Sequence, residues 1–587
     1  MVTKILSPLL LNLVGIATTW ALGSNVPQIQ LGSAGPTVVG KTISENVEFF
    51  GGKITADRVT GIPYAEAPVG DLRLRPAEIK DYSEPGSKDT IVNATNYGKA
   101  CLQHGKPRES VSEDCLSLNI FRPSGDLLGP DASLPILLWL HGGGITGSGS
   151  SPDYDGTALV ERSLVRNSPI IVMTINFRLG PLGHPRGKEV DGQQDVLNLG
   201  SQDQIVALQW VKQNIKAFGG DPSKVTVFGE SSGGLSIELL LMSGKIQGLA
   251  RGAILESSGR LPMYNSSVQD SKWLAYIQNI PSCAESTSQS VDCLRSNATS
   301  DELYNAFAPA NITGLSFEWT PVIDGPGGVL PDYPSGLAYP DDLNVAIMFG
   351  NVLDEGTFMH LPQSTNSTDD ILTGLFDMIS PSPRGDDELR QALSELLTLY
   401  PDDPGAGSPF NTGNETFGLD KEYKRFAAIL TDMFVSSQRK LFAKQFAASE
   451  AASKAPLYMF LFADPHAVSV MPREFQPPEG SYAPGSLGVP HTGEINYVFG
   501  HLEIENSTMP QSAKDLNVKM MDYWISFAVE LNPNDGRGDE RPDWPEYFSS
   551  SSPVLMQLKG GEIEGIPDTF REAAIQFIED HSLVFAA

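Results

Sequence analysis

The chain has 587 residues and the composition of a globular protein, with 40% hydrophobic and 19% charged residues. Its formal net charge of −30 at pH 7 argues against nucleic acid and anionic membranes as partners. The length allows a large buried core, in one big domain or in two.

The first residues predict export from the cell. The stretch "MVTKILSPLLLNLVGIATTWALGS" combines Lys4, an apolar run from about Leu9 to Ile16, and the small residues Ala21 and Gly23, which suit cleavage. The run is short for a membrane span, and no second long apolar run follows. We therefore predict a signal peptide over residues 1–23 and a secreted protein without an integral membrane segment.

Secretion favours disulfides, and the four cysteines allow three pairings. We predict the local pairing, Cys101 with Cys115 and Cys283 with Cys293, because it closes two short loops. No Cys or His pair has metal-ligand spacing, so we expect no metal site. Glycosylation sequons, which fit a secreted glycoprotein, occur at Asn93, Asn265, Asn297, Asn311, Asn366, Asn414 and Asn506.

The elements alternate along the chain. Glycine-punctuated strands are predicted from about Val38 to Thr60. Continuous apolar runs then predict buried strands, and periodic stretches predict helices. The strands are "LPILLWL", "PIIVMTIN", "KVTVFGE", "GAILE", "NVAIMFG" and "APLYMFLF", and the helices are "LGSQDQIVALQWVKQNIKAFGG", "DDELRQALSELLTLY" and "DLNVKMMDYWISFAVEL".

This alternation predicts an α/β fold, with a mostly parallel sheet covered by helices on both faces. Polar stretches near 366–386, 401–417 and 472–490 are predicted to be surface loops. Because no internal repeat and no long linker interrupts the pattern, we predict one domain over residues 24–587.

Two glycine motifs match phosphate-binding patterns by letter only. "GPTVVGKT" (35–42) fits a P-loop, but no strand precedes it and "TISENVEF" continues as a strand where a helix is needed. Gly142, Gly144 and Gly147 in "LLWLHGGGITGSG" fit a dinucleotide loop. The following "SGSSPDYDG" is a poor helix start, and the next strand ends at Asn176 rather than at an acid. An oxyanion hole is the better interpretation of these glycines, since glycine lets backbone N–H groups approach a negative charge.

The strand "KVTVF" runs into "GESSG" (229–233) and then into the helical "LSIELLLMSG". Strand, G-x-S-x-G and helix form the context of a nucleophile elbow, with Ser231 as the nucleophile. Such a serine needs a base and an orienting acid, which follow it in the order acid, then histidine.

The candidates for the acid and the base stay open at this point. Asp354 and Glu355 follow a predicted strand, and Asp324 lies in "TPVIDGP". His466 and His491 both follow the strand "APLYMFLF", and spacing alone slightly favours His466.

Five stretches resemble the type-B carboxylesterase, cholinesterase and lipase family of α/β-hydrolases. They are "GIPYAEAPVGDLRLRP", "SEDCLSLNIFRP", "NFRLGPLG", "QDQIVALQWVKQNIKAFGGDPSKVTVFGESSGG" and "GVPHTGEINYVFG", and "YPDDPGAGSPFNTG" resembles the fungal branch. The resemblance implies an α/β-hydrolase fold with a large, mostly parallel central sheet, helices on both faces and small N-terminal antiparallel strands.

Residue by residue, the resemblance implies Ser231 as nucleophile, Glu355 as acid and His491 as base. Glu230, beside the nucleophile, would either tune the site or serve a structural hydrogen bond.

The oxyanion donors of the family map onto the backbone N–H groups of Gly143, Gly144 and Ser232. Most relatives have Ala at the last position, but Ser232 keeps the N–H group. The resemblance also implies a disulfide between Cys101 and Cys115 and a structural ion pair between Arg73 and Glu113.

These residues predict a secreted serine hydrolase that cleaves carboxylic esters through an acyl-enzyme, without metal or cofactor. The segment between Cys101 and Cys115, "LQHGKPRESVSED", is short and lacks an aromatic residue. It therefore lacks the choline-stacking tryptophan and the long lid found in relatives, which favours short-to-medium acyl or aryl esters. Phe317 and Trp319 fall where relatives build an acyl pocket, although plain core aromatics would look the same.

The alternatives are a lipase or sterol esterase of the same family and a catalytically inactive binding or adhesion relative. The predicted partner is a small-molecule or lipid ester, and the predicted state is a monomer or weak dimer.

Overall fold

The structure is a computed structural model. It describes residues 26–32, 35–47, 52–82, 90–125, 128, 131–144, 146–259, 261–286, 288–307, 319–359, 365–470, 483–502, 508–550 and 552–586. The predicted signal peptide, at residues 1–23, lies outside these ranges.

The strands alternate with helices along most of the chain. In chain order the strands are β1 (Gln28–Gln30), β2 (Thr37–Val39), β3 (Lys41–Val47), β4 (Gly52–Pro63), β5 (Ile91–Asn93), β6 (Ala100–Cys101), β7 (Val111–Ser112), β8 (Ser117–Pro123), β9 (Leu134–Leu140), β10 (Ile171–Ile175), β11 (Gly220–Glu230), β12 (Gly252–Glu256), β13 (Ala346–Val352), β14 (Leu457–Phe462), β15 (Val554–Leu558) and β16 (Glu564–Pro567).

The α-helices cover both sides of these strands. They are α1 (Thr157–Val165), α2 (Gly180–Gly183), α3 (Leu199–Asn214), α4 (Ser232–Met242), α5 (Asp270–Gln278), α6 (Ser290–Ser296), α7 (Ser300–Asn305), α8 (Gly356–Met359), α9 (Thr368–Ile379), α10 (Asp386–Leu397), α11 (Tyr423–Thr431), α12 (Ser437–Ala448), α13 (Ile495–Val498), α14 (Gln511–Glu530) and α15 (Glu572–Asp580).

Within the described ranges, eleven strands form the central sheet in the order β16-β15-β14-β13-β12-β11-β9-β10-β8-β4-β3. The strands from β15 to β10 in this order are mutually parallel. Strands β8, β4 and β3 add an antiparallel margin, and β16 pairs antiparallel with β15. A separate small sheet joins β1, β2 and β5. The predicted sheet, with its antiparallel N-terminal strands, is confirmed.

Both faces of the parallel region are buried, which explains the continuous apolar runs. In β9, Ile136 and Leu138 belong to one core cluster, whereas Leu137 and Trp139 belong to the other. Helices α3, α4 and α12 contribute to the first cluster, and α1 and α14 contribute to the second. Because successive side chains of a strand point to opposite faces, each residue of such a run enters a core.

All the strands and helices predicted by name are present, with ends that shift by a few residues. The prediction of a surface loop near 366–386 is wrong, since Thr368–Ile379 form helix α9. A capping box starts this helix, with Ser367 accepting from the Asp370 N–H, and Ile371, Leu375 and Ile379 are buried along one side.

The two phosphate-like motifs have the wrong context for phosphate binding. Residues 35–42 run into strands β2 and β3, and after β9 the chain reaches α1 only at Thr157. No helix in the described parts of the chain is long and apolar enough to cross a membrane.

Candidate functional site

The candidate residues follow strands of the central sheet at the edge where the parallel strands end. The hydrogen-bonding register aligns Leu140 of β9, Gly229 of β11 and Leu255 of β12 at one level. Phe349 of β13 and Met459 of β14 continue this level. The backbone that leaves the sheet beyond it converges from neighbouring strands, which is where open α/β sheets bind ligands.

Ser231 lies at the junction between β11 and α4. Its backbone has φ +56° and ψ −123°, a conformation that is strained for a residue with a side chain. The Ser231 N–H donates to the Glu256 carbonyl of β12 over 2.9 Å, and the Ser231 carbonyl accepts from the Leu235 N–H over 2.9 Å. The serine is therefore fixed by the sheet on one side and by the helix on the other.

The flanking glycines are required by close approach. A Cβ on Gly233 would lie 2.0 Å from the Leu140 carbonyl oxygen, and a Cβ on Gly229 would lie 2.7 Å from the same atom. The motif G-x-S-x-G thus lets the elbow pack directly against the end of β9.

The fold places the side chain of His491 in contact with that of Glu355. The two are buried, and His491 Nδ1 lies 2.5 Å from Glu355 Oε2. Glu355 Oε1 accepts from the Val352 N–H over 2.9 Å, which fixes the carboxylate. The other ring nitrogen, Nε2, lies 3.1 Å from Oε1 of Glu230, the residue that immediately precedes Ser231.

The other sequence candidates have different partners. Asp354 accepts from the Val489 N–H over 2.9 Å and from Ser408 Oγ over 2.7 Å, so it braces the loop that carries His491. Asp324 accepts from Asn198 and from backbone N–H groups of its own turn. The backbone N–H of His466 donates to Asp464, two residues away.

Two further carboxyl groups, which the sequence analysis did not select, lie buried at the same place. Glu256 ends β12, pairs in register with Glu230, and its Oε1 accepts from Trp524 Nε1 over 2.7 Å. Glu494 Oε1 accepts from Ser257 Oγ over 3.2 Å. The only sequence signal for Glu256 is that both adjacent strands end in glutamate.

Burial and mutual repulsion shift the pKa values of these groups. Burial raises the pKa of Glu230 and of Glu256 well above the usual range, and the charge of Glu494 raises both further. Burial and the charge of Glu355 raise the pKa of Glu494 to about 7. Burial alone would lower the pKa of His491, but the charges of Glu230 and Glu355 outweigh it and raise this pKa to about 10. Because Glu230 and His491 are in contact, the pair shares a proton at neutral pH, and the imidazole is neutral when Glu230 holds that proton.

The glycine loop, residues 141–144 and 146–150, packs beside the elbow. A Cβ on Gly142 would lie 2.6 Å from Glu230 Oε2 and 3.0 Å from Ser231 Cβ. The Gly144 N–H donates to Ser232 Oγ over 3.1 Å, and the Thr146 N–H donates to the Gly143 carbonyl over 3.0 Å. The loop carrying two of the predicted oxyanion donors is thus attached to the residue that carries the third.

Both predicted disulfides are present, Cys101 with Cys115 and Cys283 with Cys293. Arg73 and Glu113 form a buried ion pair through two hydrogen bonds, of 2.6 and 2.9 Å.

The two predicted acyl-pocket residues have different outcomes. Phe317 lies outside the described residues. Trp319 is buried, with its ring centroid 6.4 Å from that of Trp273 and 6.1 Å from that of Tyr276. These contacts are those of a core aromatic side chain, and the acyl-pocket role stays a prediction.

Five sequon asparagines are exposed: Asn93, Asn265, Asn297, Asn366 and Asn414. Asn311 and Asn506 lie outside the described residues. In the described ranges, no cluster of His, Cys, Asp and Glu could hold a metal ion.

Comparison with known proteins identifies the family and the fold. The sequence pattern of the carboxylesterase family matches residues 36–578. A relative named secreted lipase 1, from Botryotinia fuckeliana, is 30% identical, over 94% of this chain and 92% of its own length.

Two solved structures share the fold. One, titled PNB esterase, has a TM-score of 0.66 and 27% identity and covers 93% of this chain and 99% of its own. The other, EstA of Aspergillus niger, has a TM-score of 0.73 and 24% identity and covers 96% and 99%. The chain belongs to the carboxylesterase family. It has the α/β-hydrolase fold and is a carboxylic ester hydrolase.

Replacing Glu230 with Gln should lower the pKa of His491 below about 10, because the mutation removes the neighbouring charge that raises it most. NMR titration of the His491 imidazole measures this change. A raised histidine pKa stabilises the folded state fully below pH 6.5, and this contribution is lost as the pH rises towards 10. The E230Q protein should therefore lose less stability than wild type between pH 7 and 10, which urea unfolding at both pH values measures.

Glu579 provides the control, since it is also a buried glutamate with a raised pKa but pairs with Lys444. The E579Q protein should keep the His491 titration of the wild type. An unchanged His491 pKa in E230Q would contradict the assignment of Glu230 as its main electrostatic partner.

Proposed function

We propose that this protein is a secreted serine esterase that uses Ser231 as nucleophile, His491 as general base and Glu355 as the acid that orients the base. The contact of His491 Nδ1 with Glu355 carries this proposal. The other nitrogen of His491, Nε2, contacts Glu230, the residue next to Ser231, and Nε2 is the atom that would take the serine proton in a serine hydrolase.

In the first half-reaction, Ser231 Oγ attacks the ester carbonyl carbon while His491 Nε2 takes its proton. The tetrahedral intermediate collapses as the C–O bond to the alcohol breaks, and the alcohol oxygen takes that proton from Nε2. A water molecule then attacks the acyl-enzyme in the same way, which releases the acid and restores Ser231. Glu355 stabilises the imidazolium formed in each half-reaction.

The oxyanion of each intermediate would accept hydrogen bonds from the N–H groups of Gly143, Gly144 and Ser232. Losing one such donor typically costs about 3 kcal/mol of transition-state stabilisation. Ser232 Oγ accepts from the Gly144 N–H, and the substrate oxygen would replace it in this bond.

The Ser231→Ala substitution should lower kcat on p-nitrophenyl butyrate by about 10⁴-fold or more, because it removes the nucleophile. Steady-state kinetics at equal enzyme concentration measure the loss. Ser243 follows the end of α4 and provides a matched control, since among the described residues its Oγ donates to carbonyls of α4 alone. The S243A protein should keep full activity. Full activity in S231A would refute the site, and an inactive wild type would favour a binding relative.

We further propose that the natural substrates have short-to-medium acyl or aryl groups. The segment between Cys101 and Cys115 is held in place, because Tyr304 donates to the Lys106 carbonyl over 2.8 Å and Arg108 pairs with Asp301 over 2.7 Å. Both partners belong to α7. A segment tied down in this way differs from a lid that opens at an oil surface. Because one relative is named a lipase, a lipase remains the alternative to this function.

Accordingly, p-nitrophenyl butyrate in solution should be hydrolysed with a much higher kcat/KM than emulsified triolein. Activity on tributyrin should rise smoothly with concentration through its solubility limit. Initial rates from pH-stat titration measure both. A preference for triolein, or a jump in rate at the solubility limit, would support a lipase and exclude our substrate proposal.

Secretion is supported by the N-terminal sequence, by the secreted relative and by five exposed sequon asparagines. Expressed with its own N-terminus in yeast, the protein should appear in the medium, begin near residue 24 and lose mass on treatment with peptide N-glycosidase. N-terminal sequencing and mass spectrometry measure these properties. Retention in the cells with Met1 in place would contradict the proposal.

A further inference from the structure

A buried amide joins the first disulfide loop to the glycine loop. The Gln103 side chain is inaccessible to solvent, and its Oε1 accepts from the Gly147 N–H over 2.8 Å. Its Nε2 donates to the Gly147 carbonyl over 2.8 Å and to the Cys101 carbonyl over 2.9 Å. One side chain thus satisfies both backbone groups of Gly147, as a neighbouring strand would.

Gly147 in turn lies against the start of the glycine loop. Its φ is +136°, and a Cβ at this position would lie 2.5 Å from both the Gly142 carbonyl oxygen and His141 Nδ1. Such close packing means that a shift of Gly147 must be transmitted to His141 and Gly142.

The direction of the Gly142–Gly143 peptide is set at this contact. His141 Nδ1 lies 2.9 Å from the Gly142 carbonyl oxygen, and its ring stacks on Phe177 with centroids 4.3 Å apart. Burial lowers the pKa of His141 to about 4, so the ring is neutral, and Nδ1 must carry the proton because a carbonyl only accepts. In a trans peptide the C=O and N–H groups point in opposite directions. The orientation of the Gly142 carbonyl therefore fixes that of the Gly143 N–H.

We propose that Gln103 is a positioning residue for the oxyanion hole. By holding Gly147, it keeps the Gly142–Gly143 peptide in the orientation that aims the Gly143 N–H at the developing oxyanion. This inference rests on the proposed function, in which that N–H is a catalytic donor. It also gives the Cys101–Cys115 loop a role in catalysis besides stability.

A second amide keeps the loop attached when Gln103 is changed. Asn176 donates to the Cys115 carbonyl over 3.2 Å, and its Oδ1 accepts from Ser148 Oγ over 3.0 Å and from the Ser150 N–H over 3.2 Å. Removing Gln103 should therefore misalign the first residues of the loop without detaching its far end.

The test is the Q103M substitution, which keeps the length of the side chain but removes its hydrogen bonds. The kcat on p-nitrophenyl butyrate should fall about 10- to 100-fold, less than the roughly 100- to 1,000-fold loss of a deleted donor. KM should stay within about twofold, because an interaction specific to the transition state is affected. The affinity for butylboronic acid, which forms a tetrahedral adduct with the serine, should fall by the same factor as kcat.

Two controls separate positioning from general destabilisation. Within the described residues, Gln438 is a buried glutamine whose hydrogen bonds stay in its own helical segment, and Q438M should keep the kcat of the wild type. In Q103M, amide hydrogen exchange should accelerate in residues 141–150 but not in α4. If Q103M does not fold, the Q103E variant tests the proposal instead. It keeps the acceptor for the Gly147 N–H, so its kcat should fall by less than the loss expected for Q103M, at constant KM.

An unchanged kcat, a change confined to KM, or unchanged exchange in residues 141–150 would overturn the proposal. Failure of the proposed function would look different. In that case the wild type would hydrolyse no ester, or S231A would remain active, while the exchange measurement would still report on the role of Gln103.

Discussion

The parallel register of the central sheet is the constraint on which the site depends, because each part of the site arrives from a different strand. Strand β9 delivers the glycine loop, β11 delivers Ser231, β13 delivers Glu355, and the segment after β14 delivers His491. A slip of one residue would move a strand by about 3.3 Å and turn its side chains to the other face. The two apolar cores that enclose the sheet oppose such a slip, so the core residues keep the chemical groups within hydrogen-bonding distance.

The second constraint is electrostatic. Four glutamates are buried around one imidazole, and buried carboxylates without compensating charge are costly. Protons provide part of the compensation, because burial and repulsion raise the pKa of Glu230, Glu256 and Glu494. The charge of the site is thus set by how many protons it holds and not by how many acidic residues it contains. A histidine that acts as a base at this site must therefore exchange protons with carboxyl groups that also hold protons.

Much of the sheet and the nucleophile elbow could be predicted from the sequence. Strands buried on both faces appear as continuous apolar runs, and the elbow has strict glycine requirements. The choice between Asp354 and Glu355, and between His466 and His491, could not be made from spacing. It depends on the turn after β13, where Asp354 braces the loop and Glu355 faces the imidazole. Helix α9 lies in a stretch whose polar residues indicate a loop, although Ser367 and Asp370 form its capping box. Gln103 left no signal, because a single amide in a polar loop belongs to no pattern.

Ser231 takes part in both the sheet and the helix, through its N–H and its carbonyl. Any motion that displaced this residue would have to break hydrogen bonds in both elements at once, so its position is tied to the most stable part of the molecule. His491 arrives on a loop that Asp354 braces. Loss of the Asp354 hydrogen bond would therefore displace the base and its loop, while the nucleophile would keep its place. The nucleophile is thus the part of the site whose position depends least on the surrounding loops.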